Sequence, residues 1–246
     1  MEQVEGRNPV FEMLKAGRSM KKIVAMRRVE GDAVMERILS LARKRGVPVE
    51  FADLITLDRL STTRRHQGIV ALVQPQSYAS LDKILAKAEG KGEDPFIVIL
   101  DRVLDPQNLG SILRTADGAS VHGILIPKKG SACVTSAVHR ASMGASAHVT
   151  VGRGNLFAAI KLLRKKRVRV VGLDASGEKD YFDADLTGPL ALVVGGEDKG
   201  LSPVIKGKCD EIVRIPMIGA MSSLNVAIAC AIILYEKVRQ DRKRLE

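Results

Sequence analysis

The spacing of hydrophobic positions predicts alternating helices and strands from the start of the chain. Apolar positions at helical spacing predict one helix that ends near Gly17 and a second that ends near Gly46. The apolar runs KKIVAM, VPVEF and GIVALV predict three strands, and residues 56–60 predict a short helix. Residues 1–75 are therefore expected to form a small α/β domain.

Residues 76–95 interrupt this pattern. A short amphipathic helix with Leu81 and Ile84 on its apolar side lies between Pro75 and a Gly-, Lys- and Glu-rich stretch that ends at Pro95. Such a composition is typical of the connection between two domains. We interpret this segment as an interdomain linker.

Residues 96–246 read as a larger α/β domain. The apolar runs FIVILD, GILIP, RVVGLD, LALVVGG and EIVRIP alternate with helical segments. Short apolar runs between helices predict a parallel sheet that is buried on both faces. A long final helix is expected from about Ser223, and its all-round apolar character from Val226 to Leu234 predicts burial.

Charge points to a polyanionic partner. The 246 residues include 39 Lys and Arg against 28 Asp and Glu, a net charge of +11. An excess of this size favours nucleic acid as the partner, with a generally basic protein as the alternative.

Other classes of protein fit the sequence less well. The three cysteines are far apart and lack metal-ligand spacing, which argues against a disulfide framework or a zinc site and favours the cytoplasm. The sequence also has no long apolar run and no apolar signal segment at its start, so neither secretion nor a membrane span is expected.

Candidate chemistry lies in three loops, each directly after a predicted strand, where open α/β sheets bind ligands. The first, LDRVLDPQNLGSILRTADG, contains Asn108 and Arg114. Taken alone, Asn108 fits a helix cap and Arg114 a solvated arginine.

The second loop is VVGGEDKGLSP, in which Gly195 permits close approach of the backbone to a ligand and Glu197 stands at the mouth of the strand. It matches neither a phosphate loop nor a dinucleotide-binding fingerprint. In the third, IPMIGAMSSLNVAIACAIILYE, Ser222 or Ser223 is expected to cap the last helix, and Asn225 in its first turn to cap or to form local hydrogen bonds.

In order and combination, D-x-x-x-D-P-x-N-x-G-x-x-x-R-T-A, G-G-E-x-x-G-L and I-P-M-x-G-x-x-S-S-L-N-V resemble the motifs of the SpoU family. This family consists of RNA ribose 2′-O-methyltransferases of the SPOUT class, and the resemblance covers residues 96–240. The segments EGRNPVFEMLKAG and HQGIVALV resemble the L30e-type RNA-binding domain of the branch that methylates a guanosine of 23S rRNA. Asp198 and Lys199 depart from the usual residues of the second motif, which puts the detailed shape of the pocket in question.

The resemblance implies a trefoil-knotted C-terminal domain that binds S-adenosylmethionine, forms a homodimer and uses no metal. It places the cofactor at Gly195, Glu197, Ile215 and Leu224. It also implies a set of catalytic positions, which are Arg114, Asn108, Glu197, Ser223 and Asn225.

The resemblance further implies that Arg114 acts near the partner's cofactor. A ribose 2′-hydroxyl must lose its proton as the methyl group arrives, and the family proposal makes this arginine the base. Because a guanidinium does not readily give up its proton, the alternative is that Arg114 binds the flanking phosphate and stabilises the developing negative charge.

RNA contacts are expected outside the motifs. Arg64, Arg65, His66 and Gln67 form a polar cluster that we expect to touch RNA, with a plain surface loop as the alternative. The basic run at 161–169 is interpreted as a solvated helix face, with RNA contact as the alternative.

The resemblance leaves two functions beside methylation of 23S rRNA. One is methylation of tRNA by the same chemistry, and the other is a non-catalytic RNA-binding protein of ribosome assembly. A nucleotide-hydrolysing enzyme ranks behind both because the chain has no phosphate loop.

Overall fold

The computed structural model describes residues 2–27, 32–196 and 200–245, which form two compact units. Unit 1 comprises the described residues of Met1–Ser77 together with Cys133–His148, and unit 2 those of Tyr78–Ala132 and Val149–Glu246. In the described part of the chain, no helix is both long and apolar enough to cross a membrane.

The elements follow one another along the chain as β1 (Glu2–Glu5), α1 (Arg7–Lys15), β2 (Met20–Met26), α2 (Ala33–Lys44), β3 (Val49–Ala52), α3 (Leu54–Leu60), β4 (Ile69–Val73), α4 (Leu81–Glu89), β5 (Phe96–Asp101), α5 (Pro106–Gly118), β6 (Gly123–Pro127), α6 (Ser136–Ala141), β7 (Val151–Gly154), α7 (Leu156–Lys165), β8 (Arg169–Leu173), β9 (Lys179–Asp180), β10 (Leu190–Gly195), α8 (Pro203–Lys206), β11 (Glu211–Arg214) and α9 (Val226–Leu245). Short 3₁₀ turns lie at Ala145–Ala147 and Tyr181–Asp183.

Unit 1 is built on a four-stranded sheet of order β1-β4-β2-β3. Strand β4 is antiparallel to both of its neighbours, whereas β2 and β3 are parallel. Helices α1 and α2 contribute to the larger apolar cluster of this unit, and Leu57 of α3 to a smaller one. The predicted strands and helices are all present, while β1, with its polar sequence EQVE, was not predicted.

A segment from the middle of the chain belongs to unit 1. Ala147 is buried in the same apolar cluster as the residues of α1. The Arg18 guanidinium donates to the Ala147 carbonyl oxygen at 3.2 Å, and Nε2 of His148 lies 2.7 Å from the Glu12 carboxylate. The structure therefore differs from the predicted domain of residues 96–246, because residues 133–148 find their packing partners in the N-terminal part.

Unit 2 is built on a seven-stranded sheet of order β7-β6-β5-β10-β8-β11-β9, in which every pair of neighbours is parallel. All six residues of β5 and all six of β10 are buried. Helices α4, α7 and α8 pack on one face. Because side chains alternate along a strand, α9, which contacts β10 and α5, covers the other face.

The predicted linker is part of unit 2. Leu81, Ile84 and Leu85 of α4 are buried in the apolar cluster that covers the sheet. A Cβ at Gly123 would lie 2.7 Å from the Ile84 side chain, so the glycine in β6 leaves the space that this helix occupies. The amphipathic pattern therefore reflects packing on the sheet, and the structure corrects the interpretation of residues 76–95 as a linker.

The last helix begins later than predicted. Asn225, and not Ser222 or Ser223, is its capping residue, because Oδ1 of Asn225 accepts hydrogen bonds from the backbone N–H groups of Ala227 at 2.9 Å and Ile228 at 3.4 Å.

One side of α9 is also open to solvent. Ile228 is 54% exposed and Tyr235 is 52% exposed. Within a single chain, this helix is therefore only partly buried; the family resemblance implies that a second subunit covers the rest.

Candidate functional site

A cavity of 470 Å³ lies at the carboxyl ends of β8 and β10. Its walls come from Asp174 after β8, the glycines after β10, residues 215–224 and the first turns of α9. The carboxyl edge of a parallel sheet is the usual ligand site of open α/β folds, because the chain reverses there and the loops diverge.

Four of the predicted site residues line this one cavity: Gly195, Ile215, Ser223 and Leu224. Glu197, predicted for both catalysis and cofactor binding, lies outside the described residues, as do Asp198 and Lys199.

Glycines make the wall after β10 a backbone surface. A Cβ at Gly195 would overlap the backbone of Gly200, and a Cβ at Gly196 would lie 2.5 Å from the carbonyl oxygen of Arg102. Gly200 has a φ of +57°, a backbone conformation that residues other than glycine rarely adopt. The glycines therefore let this loop pack closely against its own backbone and that of Arg102, and they leave the cavity wall without side chains at Gly195, Gly196 and Gly200.

Two carboxylates at strand ends hold the loop after β10 in place: Asp101, the first residue of the motif D-x-x-x-D-P-x-N, and Asp174, which sequence reasoning did not single out. Asp174 accepts hydrogen bonds from the backbone N–H of Leu201 at 3.0 Å and from Nζ of Lys206 at 3.2 Å. Asp101 accepts one from the backbone N–H of Ser202 at 2.8 Å. The signal for Asp174 was present, because this aspartate directly follows the apolar run RVVGL.

The hydrogen bonds of Asp174 strongly favour its ionised form. Burial raises the pKa of this carboxyl, but hydrogen bonds from Ser176, Leu201 and Lys206 outweigh burial and lower the pKa to about 2. The carboxylate is therefore a fixed negative charge in the wall of the cavity.

Asn108 and Asn225 join the helices beside the cavity. Nδ2 of Asn225 donates to Oδ1 of Asn108 at 3.0 Å, and Asn108 is 7% exposed. Since Asn225 also caps α9, this contact fixes the start of α9, whose Val226 and Ala229 line the cavity, against the first turn of α5.

Arg114 does not line the cavity of its own chain. It lies six residues beyond Asn108 on α5, about 9 Å along the helix, and its side chain is exposed. Among the described residues, its guanidinium has no hydrogen-bond or ion-pair partner. The structure therefore brings together the cavity residues and the asparagine pair, and leaves Arg114 free to reach another molecule.

The predicted RNA-binding cluster is on a loop of unit 1 that a buried carboxylate organises. Glu5 accepts hydrogen bonds from Oγ of Ser61 and Oγ1 of Thr63, each at 2.7 Å, and from the backbone N–H of Thr62 at 2.6 Å. Burial raises the pKa of Glu5, but these hydrogen bonds lower it further than burial raises it.

Three members of this cluster face solvent, and one does not. Arg64, Arg65 and Gln67 are exposed, and Oε1 of Gln67 accepts a hydrogen bond from the backbone N–H of Arg7 at 3.0 Å. The ring of His66 is buried, with Nδ1 accepting from the N–H of Gly68 at 3.0 Å. The structure therefore corrects the expectation for His66, whose ring supports the loop from inside and does not face a partner.

Within the described ranges, no three His, Cys, Asp or Glu side chains are grouped so that they could hold a metal ion.

Fold and site together define an α/β protein with a small-molecule cavity at the carboxyl edge of a parallel sheet and a second, small α/β unit. Comparison with known protein families identifies the family. A model described as the SpoU rRNA Methylase family matches residues 95–235, and one described as RNA 2′-O ribose methyltransferase substrate binding matches residues 3–79. The chain belongs to the SpoU family of RNA methyltransferases.

Individual relatives agree with this assignment over nearly the whole chain. YacO of Bacillus subtilis (strain 168), assigned to the TrmH family of tRNA/rRNA methyltransferases, is 41% identical over 239 residues, which are 96% of this chain and 95% of that protein. The crystal structure of the SpoU methyltransferase AviRb from Streptomyces viridochromogenes, in complex with AdoMet, is 29% identical with a TM-score of 0.82 and covers 97% of this chain and 89% of that one.

An AdoMet-bound rRNA methyltransferase from Sinorhizobium meliloti is 30% identical with a TM-score of 0.76, covering 97% of this chain and 87% of that one. These similarities confirm the predicted family and the predicted α/β fold with an N-terminal substrate-binding domain.

Proposed function

We propose that this protein transfers the methyl group of S-adenosylmethionine to the ribose 2′-hydroxyl of a guanosine in 23S rRNA. The observation that carries the proposal is the cavity at the carboxyl ends of β8 and β10, which gathers four of the residues that the family motifs assign to the site. Two similar structures, AviRb and the S. meliloti enzyme, are complexes with AdoMet. The trefoil knot of the family is part of the proposal.

The cavity fits the cofactor because its wall is backbone at Gly195 and apolar at Ile215 and Leu224. In the proposal these residues and Glu197 hold S-adenosylmethionine. When bound, the cofactor supplies a methyl group on a sulfonium sulfur, which would leave as a neutral thioether. The protein has two tasks: it orients the ribose, and it stabilises the negative charge that develops on the 2′-oxygen.

In this proposal Arg114 stabilises the developing negative charge on the ribose oxygen. Its guanidinium binds the phosphate next to the target ribose through two N–H groups and lies close to the developing alkoxide, while the phosphate accepts the proton. Asn108 orients the arginine or the ribose, and Ser223 and Asn225 shape the pocket for the cofactor and the nucleotide.

The proposed active form is a homodimer in which Arg114 serves the cavity of the partner. Its support is a set of large exposed apolar side chains: Ile218 at 97% exposure and Met221 at 72% in the segment before α9, and Ile228 at 54% and Tyr235 at 52%, two turns apart on α9. In the proposal these side chains form an interaction surface. A two-fold interface would cover this surface on both copies at once.

A tRNA target is the second candidate. YacO is assigned to tRNA/rRNA methyltransferases, and a solved structure that concerns 2-OH methylation of C/U34 on tRNA is 27% identical with a TM-score of 0.55. That structure covers 60% of this chain. The family model for residues 95–235 and the S. meliloti enzyme are both named for rRNA, and this favours the ribosomal target.

Two measurements test the proposal at its first step. Calorimetry with S-adenosylmethionine should show one site per chain, and Ser223→Trp, which fills the cavity, should abolish that binding. Radioactive methyl label should then pass from the cofactor into acid-insoluble RNA. Absence of both binding and transfer would leave the non-catalytic RNA-binding protein as the better account.

A further inference from the structure

The largest excess of positive charge lies in one stretch. Between Asp117 and Asp174 the sequence has ten Lys and Arg residues and no Asp or Glu, and six of the ten lie in residues 161–169. Residues 1–75 have a smaller excess of +5, and the rest of the chain is net negative. Helix α7 carries the start of this basic run.

The basic residues of α7 lie on its outer side. Leu156, Ala159, Ile160 and Leu163 face the core of unit 2. Residues Phe157, Lys161 and Lys165 follow one another at intervals of four and are exposed, so they form one stripe on the helix surface. Within the described residues, neither lysine has an ion-pair or hydrogen-bond partner.

A lysine from another segment completes this surface. Nζ of Lys208 lies 5.1 Å from the centroid of the Phe157 ring, which is 44% exposed. The nearby Asp210 is paired with Arg164 at 2.8 Å and so does not neutralise the three lysines. We call Phe157, Lys161, Lys165 and Lys208 the α7 face.

Helix stability does not account for this composition. A cation in the last turn, such as Lys165, complements the helix dipole, but Lys161 lies a turn earlier and Lys208 is outside the helix. Phe157 lies in the first turn and is 44% exposed, so a large part of its ring makes no packing contact. An exposed aromatic ring among unpaired lysines is instead the arrangement that binds single-stranded nucleic acid.

We infer that the α7 face is an RNA-binding surface of the catalytic unit, in which the three lysines contact phosphates and the Phe157 ring stacks on a base. The inference rests on the proposed function, which makes RNA the substrate. Helix α7 begins directly after β7, at the same carboxyl edge of the sheet as the cavity. From Phe157 to Lys165 the stripe runs about 12 Å, so it can contact more than one nucleotide of a bound RNA.

The test compares RNA binding of the full-length protein and of the triple variant Lys161→Gln/Lys165→Gln/Lys208→Gln. Filter binding to in vitro transcribed 23S rRNA, as a function of salt, gives the dissociation constant and its salt slope. Losing three phosphate contacts should weaken binding at least tenfold at about 0.15 M salt and reduce the slope by about 2. Arginine at all three positions should preserve binding.

A matched control removes the same charge from elsewhere in unit 2. Lys83, Arg242 and Lys243 are exposed, have no ion pair among the described residues and lie off the α7 face, so their triple glutamine variant should change binding no more than twofold. Equal weakening in the two triple variants would show only a loss of net charge and would overturn the inference.

The aromatic ring is tested separately. Phe157→Leu keeps the apolar bulk but removes the stacking surface, so it should weaken binding about tenfold, whereas Phe157→Tyr should not. Thermal unfolding of both variants should match the wild type, because the ring is half exposed. If binding by Phe157→Leu is unchanged, the ring does not stack on RNA and that part of the inference is overturned.

The experiments distinguish a failure of the α7-face proposal from a failure of the proposed function. If the wild type methylates no RNA but only the α7-face variants lose RNA binding, the proposed function fails and the α7 face stands. If the wild type methylates RNA and the α7-face variants keep its KM for RNA and its salt slope, the α7 face fails and the proposed function stands.

Discussion

Arg114 is exposed and lies outside the cavity of its own chain, which separates it from the other predicted site residues. If it stabilises charge in the transition state, Arg114→Ala should lower kcat at least about 100-fold and leave the dissociation constant of S-adenosylmethionine within twofold. Arg114→Lys keeps the charge but loses the two-pronged geometry, so its activity should be intermediate. Equal losses of turnover and cofactor affinity in Arg114→Ala would contradict this role.

Asp174 should make the loop after β10 sensitive to acid. Its folded pKa of about 2 lies below the ordinary value of 3.8, so the ionised carboxylate stabilises the fold fully above about pH 4 and this contribution is lost as the pH falls towards 2. Asp174→Asn should lower the free energy of unfolding by about 1–3 kcal/mol near neutral pH.

Urea unfolding of wild type and Asp174→Asn at a series of pH values measures this effect, with the exposed Asp183→Asn as control. The difference between wild type and Asp174→Asn should shrink as the pH falls below about 4. A difference that stays constant down to pH 2 would mean that the carboxylate charge is not what holds the loop.

Single residues also show how far sequence reasoning reached. Gly195, Ile215, Ser223 and Leu224 could be placed in one cavity because each follows a strand of a parallel sheet, where the loops converge. The burial of His66 could not be predicted, because a polar residue in a loop shows no periodicity that tells which way its ring points.

Among the helices, α9 depends on Asn225 for its start and for a hydrogen bond to the first turn of α5. Asn225→Ala removes the cap and the hydrogen bond to Asn108, and should cost about 1 kcal/mol of stability as well as activity. Asn225→Asp keeps the capping oxygen but cannot donate to Asn108, so it should retain stability and still lose activity. Denaturation and methyl-transfer assays on both variants check this; full activity in Asn225→Asp would show that the contact is dispensable.

The elements that could be predicted are those with a strong hydrophobic period. Strands β5 and β10 are continuous apolar runs, and α4 has a clear amphipathic stripe. Strand β7, with the sequence VGRG, has too few apolar residues for any pattern, and its place is set by pairing with β6. The pattern of α4 identified a helix correctly but could not show which core it covers.

At the scale of the whole molecule, the proposed dimer has a direct consequence. Size-exclusion chromatography with light scattering should give about 53 kDa, twice the chain mass of 26.6 kDa. Mixing Arg114→Ala with Ser223→Trp should restore about a quarter of wild-type activity, since half of the dimers are mixed and each mixed dimer has one complete site. No recovery despite subunit exchange would place Arg114 and the cavity of one chain in the same site.

Transfer of labelled methyl groups to defined RNAs tests the account most directly. The purified protein is incubated with labelled S-adenosylmethionine and unmodified 23S rRNA, 16S rRNA or bulk tRNA, and the labelled nucleoside is identified after digestion. The account predicts 2′-O-methylguanosine, from 23S rRNA alone. Label in tRNA would overturn the proposed target, and label on a base or in no RNA would contradict ribose methylation itself.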